Sequence, residues 1–137
     1  MTTAKQIFVN LPVKDLKRTV DFFTKIGFEF NPQFTDENAT CMIIGENIYA
    51  MFLVEPYFST FISKPIAEAH KVCEVINAFG VDSRAQVDEI ADKAIAAGGK
   101  NYKEPEDHGW MYGRSFEDPD GHLWEFSYMD MSALPQE

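Results

Sequence analysis

The sequence follows the same order of predicted secondary structure twice, and this repeat restricts the fold more than any other feature. Residues 5–54 predict a strand, a helix and three further strands, and residues 71–130 predict the same order again. The linker 55–70 contains two prolines among polar and aromatic residues, which is typical of a segment that passes over a surface. A repeated supersecondary unit is a fold-level signal. We therefore predict an α+β fold in which residues 1–137 form a single domain of two tandem βαβββ modules.

The two helices of the repeat have recognisable beginnings and ends. Asp15 precedes apolar residues at helical spacing and can cap the first helix, and Gly27 ends it. Ser83, followed three residues later by Gln86, forms a capping-box pattern, and the second helix stops at Gly98. These signals predict one helix after the first strand of each module.

The second module is predicted to close with a short strand near 100–103, a loop over 104–109 and a hairpin. Residues 118–121 read Asp-Pro-Asp-Gly, which favours a tight turn between apolar strands. The last strand carries one carboxylate, Glu125. If Glu125 points into a cavity, it can act as a general base or hydrogen-bond acceptor with a pKa raised by burial. The alternative is a structural carboxylate bonded to the backbone or to Arg114.

Composition and charge exclude several classes of partner. The 45% hydrophobic and 14% aromatic content of the 137 residues is enough for a folded core. The formal net charge of -10 repels phosphate backbones, so no nucleic-acid partner is expected. No apolar run approaches the ~20 residues of a membrane helix, and the first residues do not resemble a signal peptide. We therefore expect a cytoplasmic protein without a membrane partner.

The two cysteines, Cys41 and Cys73, lie in apolar, strand-like surroundings. Buried free thiols are the default in a cytosolic chain, so we predict that both are buried and reduced. No spacing motif supports a disulfide or a redox pair.

Residues 107–114 form the densest polar and aromatic cluster of the chain. His108 exchanges protons near neutral pH and is a candidate acid or base, with loop capping as the alternative. Tyr112 and Arg114 alternate onto one strand face, where an arginine can bind an anionic or planar ligand or pair with a nearby acid. Trp110 is a further candidate ligand contact, although tryptophan is more often a core residue.

Asn10 is the remaining predicted ligand contact. Asn10 lies two residues after Phe8 in a predicted strand, so the two side chains lie on the same face. An amide in an apolar strand needs hydrogen-bond partners. It either orients a ligand or bonds a neighbouring loop. We expect His70 in the linker and His122 after the turn to be solvated, and no spacing motif supports a metal site made from His70, His108 and Glu125.

Two stretches carry a resemblance to a known family. Residues 9–16 (VNLPVKDL) lead through a helix to Gly27, and residues 113–121 (GRSFEDPDG) precede the tripeptide at 124–126. With these stretches the chain resembles the vicinal oxygen chelate superfamily, which includes glyoxalase I, extradiol dioxygenases, fosfomycin-resistance enzymes and bleomycin-binding proteins. It looks most like the bacterial glyoxalase/bleomycin-resistance branch known as predicted lactoylglutathione lyases.

The resemblance implies that the two modules pair into a U-shaped, mixed-sheet cavity with helices outside, and that the protein is a homodimer. Metal-using members hold a divalent ion there, at positions that correspond to Phe8, Ala50, Ile76 and Glu125, or to Met51 if the match slips by one residue. Only Glu125 offers a suitable donor. We therefore expect no metal at the usual site, while a divalent metal held by other ligands stays open.

Three functions are compatible with these residues. The first is a binding protein that holds a small organic molecule in the inter-module cavity through Glu125, Arg114, Tyr112 and Asn10. The second is a metal-dependent glyoxalase I-like lyase (lactoylglutathione lyase) or a related dioxygenase. The third is a metal-free enzyme with Glu125 or His108 as acid or base. We prefer the first, because three of the four metal positions lack a donor.

Overall fold

The structure of the protein is a computed structural model that describes residues 1–134. The chain divides into two compact units, Met1–Ala67 and Glu68–Glu137, and each unit has its own four-stranded sheet. Both sheets are mixed, because each contains one parallel and two antiparallel strand pairs. Within the described residues, no helix is long and apolar enough to cross a bilayer.

The first unit has the predicted βαβββ order, and its strands lie in the order β1-β4-β3-β2. A short helix, α2, follows the last strand inside the segment that was predicted as a linker. The elements are β1 (Ile7–Val13), α1 (Leu16–Ile26), β2 (Glu29–Asn31), β3 (Ala39–Gly45), β4 (Ile48–Val54) and α2 (Glu55–Ser59).

The second unit repeats this order, with strands arranged β5-β8-β7-β6. The α+β class and the two tandem βαβββ modules are therefore confirmed. The elements are β5 (Ile76–Gly80), α3 (Arg84–Ala96), β6 (Glu106–Asp107), β7 (Met111–Glu117) and β8 (Leu123–Met129).

One face of the first sheet is covered by α1. The Asp15 side chain accepts a hydrogen bond from the Arg18 amide, as predicted for the N-cap. Gly27 ends the helix with a φ of 122°, a conformation that glycine adopts without steric cost. Phe23 of α1 is fully buried and stacks on Phe52 of β4 with ring centroids 5.2 Å apart. On the other face, Tyr57 of the short helix α2 lies beside Asn10 and Met51, and we call this face the first open face.

One face of the second sheet is covered by α3, which is held by apolar and polar contacts. The Arg114 guanidinium of β7 donates to Asp92 at 2.8 Å and to Asp88 at 3.2 Å. The Tyr112 hydroxyl also donates to Asp88. Since Arg114 and Tyr112 both contact α3, the opposite side of this sheet is the second open face. The buried apolar contacts of the helix side come from Val87, Ala91, Ala94, Phe116, Trp124 and Phe126.

The strand predicted near 100–103 is wrong in position. Lys100 makes only an isolated bridge to Glu117, and the true edge strand is β6, inside the predicted loop. Pro105 explains the shift, since it has no backbone N–H to donate to β7 and the ladder resumes at Glu106. The first strand of the second module, which the apolar pattern predicts over residues 72–81, likewise begins only at Ile76.

The closing hairpin is organised around Asp118, which is 5% exposed. Its carboxylate accepts hydrogen bonds from the amides of Asp120 and His122 and from the indole Nε1 of Trp124, at 2.9, 3.0 and 2.9 Å. Gly121 has a φ of 90°, and a Cβ there would lie 2.8 Å from the amide nitrogen of His70. The predicted Asp-Pro-Asp-Gly turn is therefore confirmed, and its first aspartate joins the turn to the core.

Replacing Asp118 by Ala should lower the free energy of unfolding by about 2–4 kcal/mol, because it leaves the buried Trp124 indole N–H without its acceptor. Urea unfolding measures the change. The control is Asp36→Ala in the first unit, where the exposed carboxylate accepts the amides of Asn38 and Ala39. We expect a loss of about 1 kcal/mol there. Equal losses in the two variants would contradict this role of Asp118.

The α3 contacts predict a pH dependence of stability. The Tyr112 hydrogen bond, with a smaller effect of Arg114, holds the pKa of Asp88 below its ordinary value of 3.8. A folded-state pKa below the unfolded one stabilises the protein above the unfolded pKa, and this contribution is lost as the pH falls through the folded-state pKa. Tyr112→Phe should therefore reduce stability near neutral pH, and the deficit should shrink below about pH 4.

Urea unfolding between about pH 3 and pH 6 tests this dependence. The matched control is Tyr128→Phe, since Tyr128 is the cross-strand neighbour of Tyr112. Its effect should not vary with pH. A Tyr112→Phe deficit that stays constant over this range would contradict the assignment.

Candidate functional site

The first open face carries aromatic and polar side chains on adjacent strands. Phe8 of β1 pairs in register with Tyr49 of β4, and their rings stack with centroids 4.9 Å apart. Two residues further, Asn10 pairs with Met51. Phe8 remains 48% exposed, so this face offers apolar surface that nothing in its own unit covers.

A cleft of about 310 Å³ opens on this face, and we call it the first-sheet cleft. Tyr57 and Phe61, which follow β4, form one wall with rings packed edge to face at 5.1 Å. Asn10 contributes a polar group, as the sequence predicted for a ligand contact. The amide nitrogen of Asn10 donates to the Phe8 carbonyl, while its Oδ1 accepts no hydrogen bond within residues 1–134. The other lining residues are the apolar Phe34, Ala39, Met51 and Leu53 and the polar Gln33, Thr35 and Asp36.

Glu125 lies on the second open face, directly across from Ser115 of β7. Its side chain is 22% exposed, and its Oε2 accepts from the Lys103 ammonium at 3.3 Å. Lys103 also donates to Glu106, and this bond, with a smaller effect of Glu125, raises the pKa of Lys103. Among the described residues, the hydrogen-bond partner of Glu125 is therefore Lys103, whereas Arg114 bonds Asp88 and Asp92.

His108 lies at the exposed end of the same group of charges. Its Nε2 is 3.4 Å from Glu106, which in turn bonds Lys103. The two predicted acid–base residues, His108 and Glu125, are thus linked through a carboxylate and an ammonium. Trp110 is half-buried, and its carbonyl accepts from the amide of Asp130. No described contact of Trp110 indicates a ligand.

Tyr112 and Arg114 do not join this group. They share one strand face, as predicted, but that face contacts α3, whereas Ser115 and Glu125 face the other way. The Asp88 carboxylate raises the pKa of Tyr112, mainly through the hydrogen bond between them. The structure favours the alternative for Arg114, an arginine paired with nearby acids.

In the first unit, one of the positions that the family resemblance assigns to a metal ligand shifts by one residue. Asn10 lies five residues before the N-cap of α1 and pairs with Met51, while Ala78 lies five before the N-cap of α3 and pairs with Glu125. Met51 is therefore the counterpart of Glu125. The match to Ala50 is wrong, because Ala50 is fully buried while Met51 lines the cleft.

These residues do not fit a divalent metal ion. Phe8 and Ile76 carry no donor atom, and the thioether of Met51 is a poor ligand for hard or borderline ions. Among residues 1–134, no three His, Cys, Asp or Glu side chains are close enough to hold a metal. His70 bonds Glu117 through Nδ1 at 3.2 Å and is partly exposed.

The cysteines differ from each other. Cys41 is buried, as predicted, and burial raises the pKa of its thiol. Cys73 is exposed, so the prediction of burial is wrong there. It lies before β5 in the stretch that the sequence misread as a strand, and its Sγ bonds the Val75 carbonyl. Both thiols are free.

Three residues next to Glu125 were not predicted from the sequence, namely Lys103, Tyr102 and Ser115. Ser115 could have been predicted from the register of the closing hairpin, because that register places it directly opposite Glu125. Tyr102 and Lys103 gave no such signal, because they lie outside the ladder.

Comparisons with known proteins agree with this fold. A hypothetical protein of S. aureus, SA1046, is 27% identical, with 93% of this chain and 95% of that chain covered and a TM-score of 0.76. The fosfomycin resistance protein FosX of Listeria monocytogenes is 21% identical, with coverage of 99% and 97% and a TM-score of 0.68. A glyoxalase/bleomycin resistance protein/dioxygenase family enzyme of Burkholderia phytofirmans PsJN is 19% identical, with coverage of 89% and 96% and a TM-score of 0.72.

Below 25% identity, such likeness shows the fold alone. Among curated protein sequences, no significant match is found. The family model of the Glyoxalase/Bleomycin resistance protein/Dioxygenase superfamily matches residues 5–126, which is most of the sequence. The chain therefore belongs to this superfamily.

Proposed function

We propose that the chain binds a small, largely apolar organic molecule, without a metal ion at the positions that metal-using relatives employ. The observation that carries this proposal is the first-sheet cleft. Its volume of about 310 Å³ and its aromatic lining are in the range of small-molecule sites. The cleft combines apolar walls with the polar side chains of Asn10, Gln33, Thr35 and Asp36. Asn10 is exposed, and its Oδ1 accepts no hydrogen bond within residues 1–134.

Charge supports a neutral ligand. Of the side chains that line the cleft, only Asp36 is charged, and its carboxylate already accepts the amides of Asn38 and Ala39. No lysine or arginine lines it to bind an anion. The formal net charge of -10 further disfavours anionic ligands.

A second candidate is a metal-free enzyme in which Glu125 is the acid or base. Its position favours this role, since the carboxylate lies on an open face and contacts a protonated Lys103. Glu125→Gln keeps the shape and removes the ionisable group, so loss of turnover with retained binding would identify it. The metal-dependent lactoylglutathione lyase lacks comparable support, because Phe8 and Met51 offer no suitable donors.

We also propose a homodimer in the cytoplasm. Apolar side chains that are about half exposed support a partner surface, because such surface is costly in water. These side chains are Ile7, Phe8, Val72, Val75, Ile76 and Met129.

Nile red, a neutral dye whose fluorescence rises in apolar surroundings, should bind the protein saturably. Phe61→Ala removes a wall of the first-sheet cleft and should weaken dye binding roughly tenfold. The matched control is Ile62→Ala, since Ile62 is exposed beside Phe61 but does not line the cleft. Fluorescence titration gives both affinities. Equal affinity of the two variants, or no saturable binding, would contradict a ligand site in this cleft.

A further inference from the structure

The side-chain amide of Asn10 has a fixed orientation in the first-sheet cleft. Its Nδ2 donates to the Phe8 carbonyl at 3.1 Å, a bond within the edge strand β1. A carbonyl can only accept, so the nitrogen end of the amide faces Phe8 and the oxygen end points away from it. Asn10 is exposed and lines the cleft, so its Oδ1 is accessible to a ligand there.

The other polar side chains that hydrogen bonds hold in place at this cleft also act as acceptors. The Thr35 hydroxyl donates its hydrogen to the Asn31 carbonyl at 2.8 Å, and its oxygen lies 2.9 Å from the Thr40 hydroxyl. The Asp36 carboxylate accepts two backbone amides and has no hydrogen to donate. The remaining polar side chain, Gln33, is exposed and can turn either end of its amide outward.

This polarity restricts the chemistry of a ligand. An N–H or O–H group of a bound molecule can replace the water that solvates the Asn10 oxygen. A molecule without such a group removes that water and gives nothing in return, which costs affinity. The cleft therefore favours a molecule that donates a hydrogen bond.

The apolar side chains around Asn10 favour a planar ligand. Tyr57 and Phe61 form one wall, with ring centroids 5.1 Å apart. Phe34 lines the cleft with a 59% exposed ring, and Met51 is the cross-strand neighbour of Asn10. Aromatic rings pack well against other rings, and a thioether adapts its shape to them. A flat, aromatic molecule matches these walls.

We propose that the first-sheet cleft selects small, planar, neutral molecules that carry an N–H or O–H group, and that the Asn10 Oδ1 accepts the hydrogen bond from this group. Asn10 is then the residue that determines specificity, while the aromatic side chains supply most of the contact area. This inference rests on the function proposed above, because it requires that the cleft binds a ligand, and it adds the class of that ligand.

The test compares indole with benzofuran. Both are neutral and have nearly the same planar shape, but indole has an N–H where benzofuran has a ring oxygen. NMR titration of the full chain, followed at the amide resonances of residues that line the cleft, gives both dissociation constants. Indole should bind about five- to tenfold more tightly than benzofuran, as expected for one net hydrogen bond.

Asn10→Leu replaces the amide by an apolar group of similar size. It should weaken indole binding to the level of benzofuran and leave the affinity for benzofuran unchanged, which also shows that the cleft of the variant is intact. Gln33→Leu is the matched control, because it removes the other amide that lines the cleft. This variant should keep the full preference for indole.

The outcomes separate this inference from the function on which it rests. If neither probe shifts the cleft resonances saturably, the proposed function and the inference both fail. If both probes bind the unaltered chain with equal affinity, or benzofuran binds more tightly, the cleft is a ligand site and the inference alone fails. A preference for indole that persists in Asn10→Leu, or that Gln33→Leu abolishes, would also overturn the assignment to Asn10.

Discussion

The alternation of side chains across each β-sheet is the constraint on which the rest of this structure depends. Each sheet has one face covered by a helix, and every strand residue lies either under that helix or on the open face. Trp124 and Glu125 are neighbours in sequence, yet the first is fully buried and the second contacts Lys103. Whether a strand residue can act in a site therefore depends on the face of the sheet on which it lies as well as on its chemistry.

Local interactions were predictable from the sequence. The helix bounds follow from the N-caps Asp15 and Ser83, whose side chains accept from amides three residues on. The closing turn follows from the residues at 118–121, where a buried aspartate and a glycine with positive φ are both required. These features depend on contacts within a few residues, so short motifs are sufficient to predict them.

Long-range pairing was harder to predict. The run over β4 is apolar throughout, so its pattern did not decide whether Ala50 or Met51 faces the cleft. The alternation of the strand showed that Tyr112 and Arg114 lie on the same face of the sheet. Which face this is depends on their hydrogen bonds to Asp88 of α3, which is 24 or more residues away. Lys103 and Tyr102 lie outside the strands, and their contact with Glu125 joins residues more than 20 positions apart, so no local pattern indicated it.

The central claim is that this member of the superfamily binds its ligand without a metal at the usual positions. The most direct test is the metal content of untagged protein, purified without chelator and measured by elemental mass spectrometry before and after incubation with divalent ions and dialysis. We expect far less than one ion per chain in both samples, because Phe8, Met51 and Ile76 leave Glu125 without fellow ligands. A stoichiometric divalent ion that survives dialysis would contradict the account.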